Sequence, residues 1–192
     1  MPSTFEREHR RELLILDTGP IRELVLFHAV DQFGFEGLRS NLQCIVDRDS
    51  YLRCTKFIRL FHKKTTSASV VAELNYWIRE TDRTGQVRLW KRVYEEFREM
   101  GMDEQAVRLL EMDISLVTRL GPLDVSLLEI ARRNGNLSPL VLTVDRDLHD
   151  ECARAGFRVQ HLKRARADRA GLRRRISSQP PRAGADWLRR PT

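Results

Sequence analysis

Leu13-Leu14-Ile15-Leu16-Asp17 is a run of four branched apolar residues that stops on a carboxylate. A segment this short, without alternation and closed by a turn former, fits a strand buried on both faces, as in a parallel sheet. Leu140-Val141-Leu142-Thr143-Val144 repeats the pattern and ends at Asp145. A third run, Phe157 to Leu162, alternates in the manner of an edge strand. Helical spacing fills the intervals. Val70, Leu74, Trp77 and Ile78 share one face, and Val87, Trp90, Val93, Tyr94 and Phe97 form a stripe within Gln86 to Met100. Leu123, Leu127, Leu128, Ile130 and Ala131 form a further stripe behind Gly121-Pro122, and Asp147 to Ala155 is expected to be a short helix closed by Gly156. Tyr51 to Phe61 is readable as a helix and Thr65 to Ser67 as a short strand. Strand, helices, strand, helix, strand is the signature of an α/β sheet with crossover helices.

The wider composition agrees. Of 192 residues, 41% are apolar and 32% charged, enough apolar chain for one core and too much for a disordered polyampholyte. Cys44, Cys54 and Cys152 are odd in number and lack CxxC spacing, so they read as small buried hydrophobes rather than a disulfide framework or zinc site. Met1 to Glu12 lacks the apolar centre of a signal peptide, and no apolar run reaches the roughly 18 residues that span a bilayer. The expected setting is soluble, reducing and cytoplasmic, with no membrane partner.

The net charge of +7 is unevenly placed. Residues 163–192 hold ten Lys and Arg against Asp168 and Asp186, a formal +8, which leaves −1 for residues 1–162. The chain therefore divides into a folded domain, 1–162, and a basic tail, 163–192, interrupted by Ser177-Ser178-Gln179-Pro180-Pro181. Arg173, Arg174 and Arg175 are the tail's candidate RNA-binding residues, through salt-sensitive phosphate contacts. Trp187 beside Arg189 and Arg190 offers a base-stacking surface. A merely solvated extension is the competing reading of the tail.

Four acids carry the functional argument. Asp17 and Asp145 follow strands, where an Asp can simply cap the next helix; Asp124, near a helix start, can answer the helix dipole. Glu73, however, lies within the apolar stripe of its helix, and Asp124 is in register with Leu127, Leu128 and Ala131. In an open parallel sheet, ligands bind beyond the carboxyl ends of the strands, near the point where strand order reverses. Should the two helices pack there, four carboxylates meet in one pocket. They would repel unless one is protonated or a cation binds, and oxygen donors without His or Cys select Mg²⁺ or Mn²⁺. Phosphodiester hydrolysis is the chemistry such a site serves best.

Leu16-Asp17-Thr18-Gly19-Pro20, Thr66 to Leu74, Leu120 to Leu128 and Leu142 to Leu148 together resemble, in order, the four motifs of the PIN-domain nuclease family. The similarity runs over about residues 13 to 162. It implies a three-layer α/β/α fold around a mainly parallel sheet, with an acidic Mg²⁺ or Mn²⁺ pocket. It also implies that Asp17, Glu73, Asp124 and Asp145 are the metal-binding acids, with Asp147 as a further contributor; the mechanism expected from them has Asp17, Asp124 and Asp145 holding the metal while Glu73 orients or deprotonates the attacking water. Thr18 and Thr143 would supply hydroxyls that orient carboxylates or water. Many members are VapC-like toxins that cut RNA and are silenced by an antitoxin, so an RNA substrate, an antitoxin and a homodimer follow as expectations. The Asp17 to Glu73 segment and the basic tail exceed what compact toxins of the family carry, which keeps a housekeeping or defence ribonuclease open.

Other readings compete. Val144-Asp145-Arg146-Asp147 is similar to the Asp-x-Asp of haloacid-dehalogenase phosphatases, but stands too near the C-terminus for their downstream residues. A phospho-receiver would need a pair of acids where Asp17 stands alone. His149 could reach a metal but is better read as a surface or hydrogen-bonding residue. No GxxxxGK[ST] is present and no GxGxxG follows a strand. A non-catalytic RNA-binding module with a vestigial acid pocket and a structure-specific DNA nuclease are the remaining alternatives.

Overall fold

In the computed structural model, which describes residues 12–34, 48–81 and 86–162, Leu13–Leu16 forms β1 with all four side chains buried. It lies at the centre of a five-stranded sheet that is parallel throughout, in the order β3-β2-β1-β4-β5. The other strands are β2 (Lys63–Ser67), β3 (Met102–Gln105), β4 (Leu140–Thr143) and β5 (Arg158–His161). Seven α-helices among the described residues flank it: α1 (Thr18–Phe33), α2 (Arg48–Arg59), α3 (Ala68–Thr81), α4 (Gln86–Met100), α5 (Ile114–Leu120), α6 (Pro122–Arg133) and α7 (Arg146–Arg154). The chain is thus an α/β protein. No helix among the described residues is long and apolar enough to cross a membrane.

The two apolar runs pair directly, with Leu14, Ile15 and Leu16 opposite Leu140, Val141 and Leu142. Each is a fully buried branched side chain or nearly so, and each such burial contributes about 1.5–3 kcal/mol of transfer free energy. Phe157 to Leu162 supplies β5 at one edge, with alternate exposed and half-buried residues as its pattern predicts. At the other edge lies β3, which the sequence pattern does not announce: Met-Asp-Glu-Gln is polar because an edge strand leaves much of its surface in water.

β2 is polar for a different reason. Its Thr65, Thr66 and Ser67 are buried, and each hydroxyl finds a partner. Thr66 Oγ1 donates to the Leu16 carbonyl at 2.7 Å, Thr65 Oγ1 donates to the Asp103 carbonyl at 3.3 Å, and Ser67 Oγ accepts the Val70 N–H at 3.2 Å, capping α3. A buried strand of this kind carries neither an apolar run nor an alternation.

The helices follow their apolar spacing with two corrections. Val70, Leu74 and Ile78 of α3 and Leu127, Leu128, Ile130 and Ala131 of α6 are buried. In α4, Leu89 and Val93 are buried, but Tyr94, expected on the same stripe, is 66% exposed; the buried face is turned toward Leu89, Val93, Glu96 and Met100, with Trp90 and Phe97 packed at its margin. The Val87 side chain lies outside the described residues. α7 begins one residue earlier than expected and is capped at its C-terminus by Ala155, with Gly156 following at φ +77°, a left-handed turn that favours glycine. α1 joins a single core that also takes in α2, α3, α4, α6 and α7. The basic tail, including Arg173, Arg174, Arg175 and Trp187, lies outside the described residues, as does Cys44; Cys54 and Cys152 are free thiols in the core.

Candidate active site

Strand order reverses between β1 and β4: from β1 the sheet grows through β2 to β3, and on the other side through β4 to β5. A crevice opens at such a point, at the carboxyl ends of the strands. Asp17 follows β1 there, its N–H extending the pairing to the Leu142 carbonyl at 3.1 Å, and Asp145 follows β4 two residues on. β1 and β4 are hydrogen-bonded neighbours, so the two acids, 128 residues apart in the chain, leave adjacent strands.

Both also cap helices. Asp17 precedes α1 and accepts the Thr18 N–H through Oδ1 at 2.5 Å. Asp145 precedes α7, and its Oδ1 accepts the N–H groups of Asp147 at 2.7 Å and Leu148 at 3.1 Å. Capping is therefore one role of each. It is not the whole account, because the second oxygen of Asp17 is held from another element: buried Thr143 donates its hydroxyl to Asp17 Oδ2 at 2.6 Å and accepts the Asp145 N–H at 2.9 Å. On the opposite side, Thr18 Oγ1 donates to Glu73 Oε2 at 2.5 Å. One connected path thus runs from the Asp145 backbone through Thr143, Asp17 and Thr18 to Glu73, tying β4, β1, α1 and α3 together. Asp17 is buried, Glu73 and Asp124 are half-buried, and Asp145 and Asp147 are exposed.

Asp124 enters from the first turn of α6. Burial, then the charges of Asp17, Asp145, Glu73 and Asp147 push its carboxyl up to about 7. Asp17 is raised as well, first by burial and then by Glu73 and Asp145, against the lowering effect of its bonds from Thr143 and Thr18. No lysine or arginine is among the leading influences on either. The carboxylates stand apart rather than in contact: among the described residues, no three His, Cys, Asp or Glu side chains form a ready-made cation cage. Asp124 nonetheless feels the charges of Asp17, Asp145, Glu73 and Asp147.

Two neighbours escape sequence reasoning. A Cβ on Gly19 would lie 2.2 Å from Val144 Cγ2, so only glycine lets the first turn of α1 approach the β4–α7 connection this closely. In a single sequence, nothing in Asp-Thr-Gly-Pro shows which side chain Gly19 must admit. Cys152 of α7 is the second: it is fully buried, and burial followed by the charges of Asp124 and Asp17 pushes its thiol up to about 12. Its helical spacing marks it as core, but nothing in the sequence places it beneath the acids. His149 meets Asp150 at 3.0 Å and the edge of His161 at 5.9 Å, in keeping with a hydrogen-bonding residue.

The chain matches no protein-family model and no curated protein.

Proposed function

We propose that the chain is an endoribonuclease dependent on Mg²⁺ or Mn²⁺, built on a PIN-like three-layer fold. The observation that carries this reading is that Asp17 and Asp145 leave adjacent strands at the point where strand order reverses, with Asp124 and Glu73 near enough to interact with them and no compensating cation among the leading influences on Asp17 or Asp124. An all-oxygen, all-anionic donor set fits a hard divalent ion. Asp17, Asp124 and Asp145 would hold it, with Asp147 contributing from the exposed start of α7. The chemistry supplied by such an ion is Lewis acidity, which acidifies water and offsets charge on the phosphoryl oxygens.

The chain's own groups do the rest. Thr143 fixes one oxygen of Asp17 and the Thr18 N–H fixes the other, so Asp17 is presented in one orientation. Thr18 also occupies one oxygen of Glu73, and the second oxygen orients the attacking water and takes up its proton. Water attack, in place of attack by the ribose 2′-hydroxyl, leaves 5′-phosphate and 3′-hydroxyl ends.

An RNA substrate, pairing with an antitoxin and a homodimer belong to the same proposal. Leu109, Leu110 and Ile114, which are 63, 98 and 71% exposed, offer a protein partner apolar surface to bury. The test is incubation of the full chain with matched single-stranded RNA and DNA in Mn²⁺, Mg²⁺ or EDTA, followed by end-group analysis. Cleavage of RNA only with metal, leaving 5′-phosphates, supports the reading. Cyclic 2′,3′-phosphate ends exclude the mechanism, preference for DNA moves the substrate class, and binding without cleavage leaves an RNA-binding module.

A further inference from the structure

We propose that Arg22, laid on the indole of Trp77, is a phosphate-binding rung that holds the substrate strand beside the acid cluster. This rests on the nuclease reading and adds a positioning contact outside the acids and threonines already described.

The packing of α1 against α3 places the pair. Thr18 and Arg22 are four residues apart on α1, as are Glu73 and Trp77 on α3, so each pair lies on one face of its helix. The Thr18–Glu73 hydrogen bond is one contact across this interface, and Arg22, whose Cζ stands 4.8 Å from the Trp77 ring centroid, makes the next. The two contacts are separated by one turn, about 6 Å of helix rise. That is close enough for a phosphate neighbouring the one being cut.

The electrostatics of Arg22 are unusual. Glu73 is engaged by Thr18, and Arg22 is in none of the salt bridges among the described residues. Its Nε is buried with no hydrogen-bond partner, and so is the indole Nε1 of Trp77. The buried Lys64, by contrast, is answered: it donates to the Met100 carbonyl at 2.7 Å. A guanidinium that is half-buried, stacked on an aromatic face and left with an orphaned donor is short of an acceptor. Its planar fork matches the oxygens of a phosphodiester. A polyanion approaching five carboxylates also needs a cation at the rim, and Arg22 is the only lysine or arginine of α1.

The test uses the full chain and a fluorescein-labelled single-stranded oligoribonucleotide, with cleavage in Mn²⁺ and binding by anisotropy in EDTA, each over a range of KCl. Arg22→Met is expected to raise KM about tenfold, the scale of a lost charged hydrogen bond, with kcat nearly unchanged. It should also flatten the slope of log binding constant against log salt by about 0.7, the value for one phosphate on a single strand. Arg22→Lys should restore the slope, and Arg79→Met, which removes an exposed charge from α3, should leave it unaltered. If Arg22→Met lowers the thermal midpoint but leaves KM and slope at wild-type values, the stack merely joins two helices and the proposal is overturned. Wild-type chain that binds RNA without cutting it defeats the nuclease reading while the slope still decides on Arg22. Wild-type chain that neither binds nor cuts removes both.

Discussion

Thr143 donates its hydroxyl to Asp17 Oδ2 at 2.6 Å across two adjacent strands, and Thr143 Oγ1 in turn accepts the Asp145 N–H at 2.9 Å. One fully buried side chain therefore sets the orientation of one acid and the backbone of another. Thr143→Val keeps the shape and removes both bonds, leaving a buried acceptor on Asp17 and an N–H on Asp145 without their partner. The expected loss is about 1–3 kcal/mol in stability, together with most metal-dependent cleavage. Thr143→Ser retains the hydroxyl and should recover activity before it recovers full stability, since it lacks the buried methyl. Equal activity in the Val variant would show that the bond serves folding alone.

The acid cluster predicts how stability follows pH when EDTA removes divalent ions. Asp124 has a folded pKa near 7 against an ordinary value of 3.8, and Asp17 is also raised. Between those values the folded state holds protons that the unfolded chain has released, so its stability falls as pH rises from about 4 to about 7. Thermal midpoints measured across that window should decline more steeply in the wild type than in Asp124→Asn. Added Mg²⁺ should reverse the decline in the wild type, because a ligand bound only by the folded state stabilises it. A flat wild-type profile in EDTA would mean that the carboxylates do not share a field.

Gly19 and Val144 make a steric prediction. A methyl group at Gly19 meets Val144 Cγ2 at 2.2 Å, and Val144 directly precedes Asp145. Gly19→Ala should cost about 1–3 kcal/mol as an overpacked contact and displace the start of α7. Gly19→Ala combined with Val144→Ala opens the space again and should regain part of the thermal midpoint. Additive losses in the double variant would place the strain elsewhere.

The sheet centre is legible in the sequence because Leu13–Leu16 and Leu140–Thr143 have no polar face to conceal their burial. α1 is harder to read, and for a related reason: Ile21, Leu24, Val25, Leu26 and Ala29 are buried together with Glu23 and His28, so the helix has no wet face against which a stripe could stand out. β2 is legible only in part, as Thr65 to Ser67, and β3 escapes, because their polar residues are satisfied by hydroxyl bonds or by water. The acids of the site are visible singly, and Glu73 is conspicuous within its stripe, but their juxtaposition depends on which strands are neighbours. That follows from the crossover between β3 and β4, which no local pattern encodes. The Gly19–Val144 and Arg22–Trp77 contacts are likewise properties of packing between distant segments.

Asp145 separates a structural role from a chemical one most cleanly. Its Oδ1 caps α7 through the N–H groups of Asp147 and Leu148, and asparagine caps a helix about as well as aspartate does. Asp145→Asn should therefore keep the thermal midpoint of the metal-free chain near the wild-type value, whereas Asp145→Ala should lose about 1 kcal/mol with the cap. Both should lose cleavage and most of the stabilisation by Mg²⁺, because neither presents an anionic oxygen to a hard cation. The comparison turns on the Asn variant. If it retains Mg²⁺ stabilisation and cleaves RNA as the wild type does, Asp145 is a helix cap and the cation must be held by the remaining acids. If it keeps its fold and loses both, the carboxylate's charge serves the crevice while its geometry serves the helix.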